Sequence, residues 1–388
     1  LAVVFALIGA IAIAIGVGFW LRTEPGWKQI EAKASGASSA QDLVFNYYFA
    51  DEEISASKEE KELTALYSEL CVKAYEVFNR YDRFEDRNNL FYVNEHINKE
   101  VKVDPVLYGA FETMLENGGR YLYFGALHSE YEYNFFGHED VPQSEDLDPY
   151  KNGEMADYFG TLAEYALDPD SVELELLGDN TVKLKVSKQY KDFAKENEIS
   201  VFIDFYRMKN AFVVDYIASE LQKAGYTKGT ISSYDGFVRC LDTRSETYAL
   251  NLFDRKGSEV YNAAAMKYQG PMAIVNLRSF PMGEKDSYDF YVRSDGKLIT
   301  PYVDVDGLYK TSTECLVSYS KTKTCAEIAL SLLPVFIADE LDSTELTELE
   351  DKGISSVWFE DLVICKSDSG LVITDLYDDG SVKYTLQN

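Results

Sequence analysis

The order in which strand-like and helix-like segments follow one another constrains the fold of this chain most. Segment 43–50, LVFNYYFA, is aromatic and weakly alternating as in a strand, and 58–81 has apolar residues at helical spacing. The same criteria predict helices at 105–116, 155–166 and 322–338, and strands at 171–177, 181–186, 199–205, 230–234, 248–253, 272–276, 287–292, 297–303, 356–365, 370–376 and 381–386. Because the elements do not alternate as regular βαβ units, the sequence predicts an α+β fold.

Local signals fix two of these boundaries. Asp104 followed by Pro105 has the chemistry of an N-cap and a first helical residue, which predicts where the third element begins. The run Gly178, Asp179, Asn180 between two alternating segments predicts a hairpin turn.

Charge excludes one class of function. The 388 residues include 37 Lys and Arg against 66 Asp and Glu, a formal net charge of -29. Such a surface repels nucleic acid over about a Debye length, so we expect no nucleic-acid partner. A hydrophobic fraction of 46% is nevertheless enough for a substantial core.

The N-terminal segment predicts a membrane anchor. Residues 1–20 carry no charge, and at about 1.5 Å per helical residue they could cross a hydrocarbon layer of about 30 Å, with Trp20 and Arg22 at the interface. A cleaved signal ending near Ala32-Lys33-Ala34 and a buried core helix are the alternatives. We therefore divide the chain into a transmembrane helix, 1–22, a flexible Ala/Ser/Gly/Lys-rich linker, 23–41, and one folded domain, 42–388.

Cysteine and histidine patterns argue against a zinc centre or a disulfide framework. The single, scattered residues have no ligand spacing: Cys71, Cys240, Cys315, Cys325, Cys365, His96, His128 and His138.

The segment 199–225 carries a family resemblance. It contains Ile203-Asp204, a turn, and an amphipathic helix that includes Asp215 and closes at Ala224-Gly225. This order resembles the FAD:protein FMN transferase (ApbE-like) family, in which an Asp-x-Gly-Gly-x-Ala-Lys-Gly turn leads into such a helix. Further segments fall in the order and spacing of that family: 81–94, 118–127, 230–236, 270–280, 300–307 and 325–331. The resemblance covers the chain from residue 42 onward and implies an ApbE-like fold with mixed or antiparallel sheets and flanking helices.

The resemblance also implies a reaction and its cofactors. In the family an acceptor Ser or Thr hydroxyl attacks the FAD pyrophosphate with the help of Mg²⁺, which leaves FMN on the acceptor protein. Such chemistry needs backbone N–H groups close to phosphate, and glycine permits that approach. The resemblance therefore implies FAD and Mg²⁺ as cofactors and membrane redox flavoproteins as acceptors. It also implies a location at the cell membrane, with the folded domain extracytoplasmic.

The chain departs from the family pattern where these requirements are sharpest. Tyr206 and Arg207 stand at the paired glycines, Asn210 at the lysine and Lys209 beside it. At the family's Asn-Ala-Gly-Gly-Asp loop this chain has Ser232-Ser233-Tyr234-Asp235-Gly236. The family's Thr-Ser-Gly-Asp stretch corresponds to 274–277, which has no acid. The family's His-x-x-Asp corresponds to 301–304, which keeps the Asp as Asp304 but has no His. The resemblance places cofactor binding on Arg207, Lys209, Asn210, Tyr234 and Asp235, and a catalytic role on Asp304. Asp304 with Asp306 and Gly307 could equally form an Asp-Gly turn.

The sequence contains two further candidate sites. Glu327 and Ser331 lie one helical turn apart and match the family's metal-binding Asp and Thr with oxygen ligands that suit Mg²⁺; the alternative is a solvated Glu and a packing Ser. The tetrapeptide Ser35-Gly36-Ala37-Ser38 resembles the Ser-Gly-Ala-Thr core of flavin acceptor sites, which makes Ser38 a candidate flavin acceptor, although linker composition also produces it.

Three functions follow as hypotheses. The chain could be a membrane-anchored flavin transferase with weak or lost catalysis, because the glycines, one acid and the His are missing. It could be a non-catalytic pseudoenzyme that binds flavin or a redox partner. A surface scaffold, suited to 29 tyrosines and an acidic surface, is the third hypothesis.

Overall fold

The computed structural model describes residues 26–33, 36–50, 54–136 and 145–387. The predicted anchor at 1–22 lies outside these ranges. Within them, no helix has both the length and the apolar character that crossing a membrane requires.

The described helices are α1 (Ile54–Phe78), α2 (Leu90–Glu95), α3 (Pro105–Glu116), α4 (Gly125–Phe135), α5 (Gly153–Leu167), α6 (Lys188–Glu196), α7 (Lys209–Lys223), α8 (Glu284–Ser287), α9 (Cys325–Phe336) and α10 (Ser343–Asp351). The strands are β1 (Gly26–Gln29), β2 (Leu43–Phe49), β3 (Glu100–Lys102), β4 (Val172–Gly178), β5 (Thr181–Val186), β6 (Gly229–Ser233), β7 (Phe237–Cys240), β8 (Thr247–Lys256), β9 (Glu259–Gln269), β10 (Met272–Arg278), β11 (Tyr291–Val292), β12 (Leu298–Ile299), β13 (Cys315–Ser320), β14 (Ser355–Glu360), β15 (Val363–Lys366), β16 (Val372–Thr374) and β17 (Thr385–Leu386). Short 3-10 helices lie at Ser39–Asp42, Arg120–Phe124, Glu145–Leu147 and Tyr206–Met208.

A nine-stranded sheet organises the described part of the chain. Its order is β1-β2-β6-β7-β10-β13-β14-β15-β17, and its neighbours are antiparallel except for the parallel pair β15 and β17. Two three-stranded sheets, β16-β9-β8 and β3-β5-β4, accompany it. The predicted α+β class with antiparallel and mixed sheets is therefore confirmed.

The central strand β10 has a hydrophobic core on each face. Ala273, Val275 and Leu277 pack in one cluster with side chains of α1, α7 and α9. Met272 and Ile274, which alternate with them, pack in a second cluster with β8 and β9. Since successive side chains of a strand point to opposite faces, β10 is buried on both sides, with helices over one face and the small sheet over the other.

The local signals at the third helix are confirmed. Helix α3 runs from Pro105 to Glu116, and Asp104 Oδ1 accepts the N–H of Val106 at 2.9 Å. The hairpin of β4 and β5 turns at Asp179 and Asn180, both with positive φ, as the sequence predicts.

The predicted strand at 199–205 is wrong. This segment is a buried loop whose backbone is paired with a side chain: Asn94 Oδ1 accepts the N–H groups of Phe202 and Ile203 at 2.8 and 3.1 Å, and Asn94 Nδ2 donates to the Ile203 carbonyl. The loop also lies against Gly125, where a Cβ would come within 2.8 Å of the Ile203 nitrogen. The apolar run reflects burial, which periodicity alone does not distinguish from strand pairing.

The flexible linker predicted at 23–41 is also wrong for the residues that the structure describes. Gly26–Gln29 forms the edge strand β1 paired with β2, and the N–H of Ile30 donates to the Phe45 carbonyl at 2.8 Å. Residues 39–42 then form a 3-10 helix against α1. The folded unit thus begins before residue 42, because apolar side chains such as Ile30 supply burial that the composition of the segment obscures.

Other predicted strands shift or divide. The segment predicted at 356–365 contains two strands, β14 and β15, joined by a tight turn. The segments predicted at 287–292 and 297–303 contain only the two-residue strands β11 and β12, and 287 ends the short helix α8.

Candidate functional site

A cleft of about 700 Å³ lies where the end of α1, the start of α7, the turn after β6 and the α8 region meet. The five residues predicted to bind a cofactor all line it: Arg207, Lys209, Asn210, Tyr234 and Asp235. The turn before α7 and the Tyr234 turn after β6 are separated in the chain by helix α7. They come together because β6 pairs with β2 and lies against α7, which packs on α1. The structure therefore gathers the predicted binding residues into one site.

Tyr206 occupies the first glycine position of the implied phosphate turn, and its backbone keeps a glycine-like conformation with φ of +37°. Its ring stacks on His128, with ring centroids 4.0 Å apart and planes 18° apart. A non-glycine residue at positive φ is strained by roughly 1–2 kcal/mol. The turn thus has a backbone conformation that suits glycine but carries an aromatic side chain there.

His128 is buried beneath Tyr206. Burial lowers the pKa of its imidazole well below the ordinary value, and the charges of Arg80 and Arg207 lower it further. Its Nδ1 has no hydrogen-bond partner among the described residues. The folded protein therefore holds His128 neutral where a free histidine would be protonated.

This gives a pH prediction. As pH falls below the ordinary histidine pKa of about 6.5, the unfolded chain binds a proton at residue 128 that the folded chain does not, so stability is lost on the acid side. We expect His128 to contribute about 1 kcal/mol to the loss of unfolding free energy between pH 7.5 and 5.5. Urea unfolding of wild type and His128→Phe at both values tests this, and an unchanged pH dependence in the variant would contradict it.

Arg207 is held in an ion pair. Its guanidinium bonds to Asp289 from the α8 region, and it lies over the ring of Tyr302 at 5.7 Å. Its Nε has no acceptor among the residues that the structure describes. Arg207 therefore reaches the cleft with its charge already compensated.

The two lysines of the cleft are also engaged. Lys209 Nζ lies 3.7 Å from Asp42 Oδ2, and Lys285 Nζ donates to the Gln41 carbonyl at 2.8 Å while lying 4.3 Å from the centre of the Tyr234 ring. Both contacts tie the 3-10 segment that ends at Asp42 to the rim of the cleft.

A charge cluster around the buried residues Arg80 and Asp204 lines the cleft. Arg80, 7% exposed, donates to Asp204 at 2.6 Å and also bonds to Glu132, which accepts from the Tyr81 hydroxyl. Sequence reasoning recognised Asp204 as part of the turn but missed Arg80, Glu132 and Asp289. Arg80 directly precedes a segment that the resemblance covers, whereas no local signal links Asp289 to Arg207.

The other candidate residues lie elsewhere. Asp304 belongs to a turn closed by Gly307, and its carboxylate accepts the N–H of Val305 and lies 3.4 Å from Lys310 Nζ. It does not line the cleft, so the alternative of an Asp-Gly turn describes its placement. Ser38, 4% exposed, accepts the N–H of Ala40, so its hydroxyl is not presented as an acceptor in this conformation.

The residues predicted to bind magnesium serve their own helix. Glu327 accepts the N–H of Thr324 at 2.8 Å, as in a capping box, and its other oxygen lies 3.0 Å from Lys323 Nζ. The hydroxyl of Ser331 donates to the Glu327 carbonyl. The described part of the chain has no group of three or more His, Cys, Asp or Glu placed to hold a metal ion. As placed, Glu327 and Ser331 do not fit a Mg²⁺ site.

The cleft does not fit the pyrophosphate of FAD either. Among the described lining residues are six carboxylates (Asp42, Glu132, Asp204, Asp235, Asp286, Asp289) and four cations (Arg80, Arg207, Lys209, Lys285). The cations Arg80, Arg207 and Lys209 are already paired with carboxylates, and the Tyr206 side chain replaces the glycine that would bring backbone N–H groups to phosphate.

The fold itself matches solved flavin transferases. Similar structures are the ApbE protein of Thermotoga maritima (TM-score 0.60, 11% identity, 90% of this chain and 97% of that chain covered) and the flavin transferase ApbE of Vibrio cholerae (TM-score 0.55, 12%, 90% and 97%). The flavinyl transferase ApbE of Pseudomonas stutzeri, in its apo form, has a TM-score of 0.52 at 13% identity, with 91% and 95% covered. Neither a family model nor a curated protein matches the sequence. The chain therefore has the fold of the ApbE flavin transferases, with a cleft that differs from the family's sequence pattern.

Proposed function

We propose that this protein is a non-catalytic member of the flavin-transferase fold, in which the cleft has been kept for binding but no longer transfers FMN. The observation that carries the proposal is the turn before α7: Tyr206 and Arg207 replace paired glycines, one stacked on His128 and the other paired with Asp289. Engagement of Glu327 in a helix cap supports the same conclusion.

The proposal includes a location and partners. An anchor at 1–22 rests on the uncharged segment 1–20, and an extracytoplasmic domain that contacts membrane redox flavoproteins rests on the resemblance. In this role the cleft would recognise a partner or ligand without breaking a pyrophosphate bond.

The test is FAD turnover with the full chain. Transfer of FMN to a hydroxyl forms a phosphoester on the acceptor and releases AMP. We expect neither AMP release nor Mg²⁺-dependent FAD binding, measured by chromatography and by flavin fluorescence with and without Mg²⁺. The Vibrio cholerae flavin transferase, assayed in parallel, is the positive control, and Mg²⁺-dependent AMP release by this protein would overturn the proposal.

A further inference from the structure

One side of the edge strand β1 carries aromatic side chains that belong to neither core. Trp27 lies opposite Tyr48 in the ladder of β1 and β2, and Gln29 lies opposite Asn46, which places all four on the same side of the sheet. Trp27 is 45% exposed, and its ring meets that of Tyr48 edge to face, with centroids 5.7 Å apart. Among the described residues, neither core cluster includes these two rings. We call the four residues the β1 face.

The other side of β1 and β2 is already covered. Phe45, Tyr47 and Phe49 alternate along β2 with the residues of the β1 face and are buried in the cluster that includes α1. On the side of the β1 face, the small sheet reaches only as far as Tyr248 of β8, whose ring meets that of Trp27 at 6.0 Å. The β1 face is therefore the part of this sheet surface that lies beyond the small sheet.

The β1 face is uncharged in a strongly acidic protein. Its side chains are aromatic rings and amides. Arg244 lies over the Tyr48 ring at 3.8 Å, but its charge is paired with Asp242. Lys28 points to the opposite side, where it lies 3.5 Å from Glu60. Tryptophan and tyrosine combine an apolar body with a polar tip, which is why they concentrate at the boundary between membrane and water.

The place of β1 along the chain indicates which partner this face meets. The proposed anchor ends at residue 22, and β1 begins at Gly26. Four steps of at most about 3.6 Å leave no more than about 14 Å between them. The headgroup layer outside the hydrocarbon core is itself about 5–8 Å deep. Because 26–29 is a strand and not part of a long linker, an anchor at 1–22 would hold this edge of the sheet beside the bilayer.

We propose that the β1 face rests on the phospholipid headgroups of the membrane, with the Trp27 indole among them. The inference rests on the anchor in the proposed function and deepens it, because it names the surface through which the folded domain meets the lipid. The partner is a lipid surface without a required charge, since the face offers rings and amides and its neighbouring arginine is already paired.

The test measures how close residue 29 comes to lipid. The full chain with Gln29→Cys, labelled with bimane, is reconstituted into phosphatidylcholine vesicles that contain a headgroup nitroxide quencher. The five native cysteines are buried, so the label reacts with the introduced thiol. Asp179→Cys, at the exposed turn of the separate sheet β3-β5-β4, is the matched control. We expect quenching at residue 29 to be at least about threefold stronger, because that label would lie within the headgroup layer and the control label in water.

A second pair of variants asks whether the aromatic ring makes the contact. In the chain labelled at residue 29, Trp27→Gln should reduce the quenching at least about twofold, because glutamine lacks the preference of tryptophan for the interface. Tyr133→Gln removes another aromatic side chain, 70% exposed on α4, and should leave the quenching unchanged. Unchanged quenching in Trp27→Gln, with its fold verified by circular dichroism, would contradict a contact made by the β1 face.

The outcomes separate this inference from the anchor on which it rests. If the full chain leaves the vesicles in a carbonate wash, the anchor and the β1 face contact both fail. If the chain stays in the vesicles but residue 29 is quenched no more than residue 179, only the β1 face contact fails.

Discussion

Replacing Arg80 with methionine is expected to lower the free energy of unfolding by about 3–5 kcal/mol, because it leaves Asp204 buried without its charge partner. Methionine retains most of the apolar stem, so the loss reports the guanidinium rather than side-chain volume. The measurement is equilibrium unfolding in urea, followed by tryptophan fluorescence and circular dichroism.

The matched control for this variant lies three residues further along. Arg83 forms a salt bridge with Glu95 at 3.6 Å, but its side chain is 57% exposed. Solvated pairs contribute about 0–1 kcal/mol, so Arg83→Met should be nearly neutral. Equal effects of the two substitutions would mean that the buried pair of Arg80 and Asp204 stabilises the fold no more than a solvated pair does.

The second large effect is expected at Tyr206. Tyr206→Ala should cost about 3–5 kcal/mol of unfolding free energy, since it removes the ring that stacks on His128. Tyr206→Gly removes the same ring but relieves the backbone strain of a φ of +37°. We therefore expect the glycine variant to be more stable than the alanine variant, by about 1 kcal/mol.

Tyr288 provides the reference for that comparison. It is exposed on the rim of the same cleft, and its φ is -67°, an ordinary helical value. There glycine should be less stable than alanine, by about 0.5–1 kcal/mol. If glycine were also the less stable substitution at residue 206, the turn would not have kept the glycine-like backbone. Thermal unfolding of all four variants gives the comparison.

Both effects bear on function. Tyr206→Gly reopens the space where the resemblance implies backbone contact with phosphate, yet Arg207 remains paired with Asp289 and the carboxylates remain. If the proposed function is correct, a single substitution is therefore not expected to produce FAD turnover. The departure from the transferase pattern lies in several contacts that support one another.

Some elements could be predicted because their signals are local. Helix α3 starts where Asp104 can cap it, and the hairpin of β4 and β5 turns where Asp179 and Asn180 tolerate positive φ. Strand β9 was not predicted, since its run of alanines, 263–265, has low strand propensity and is stabilised by burial between β8 and β16. Strand β13 was also not predicted, because its serines at 318 and 320 interrupt the apolar pattern. In the structure the Ser318 hydroxyl is paired with Ser356 across the sheet.

The candidate site could likewise be predicted only in part. The resemblance identified the turn at 206–210 and the loop at 234–235, and the structure places these residues in one cleft. The proposed metal ligands were inferred from their match to the family's metal-binding Asp and Thr and from their spacing on a helix face, neither of which shows whether a carboxylate is already used. In the structure Glu327 caps its own helix, so a correct helical face did not make a metal site.

The sequence by itself determined the α+β class, five of the ten described helices and two of the segments that line the cleft, because periodicity, caps and turn residues act over a few residues. Only the tertiary structure decided what the cleft can hold. The pairs that set its charge join residues far apart, 82 positions for Arg207 and Asp289 and 124 for Arg80 and Asp204. Such pairs leave no local pattern, since each partner is an ordinary polar residue until the packing of sheet and helices brings them together and removes the water between them.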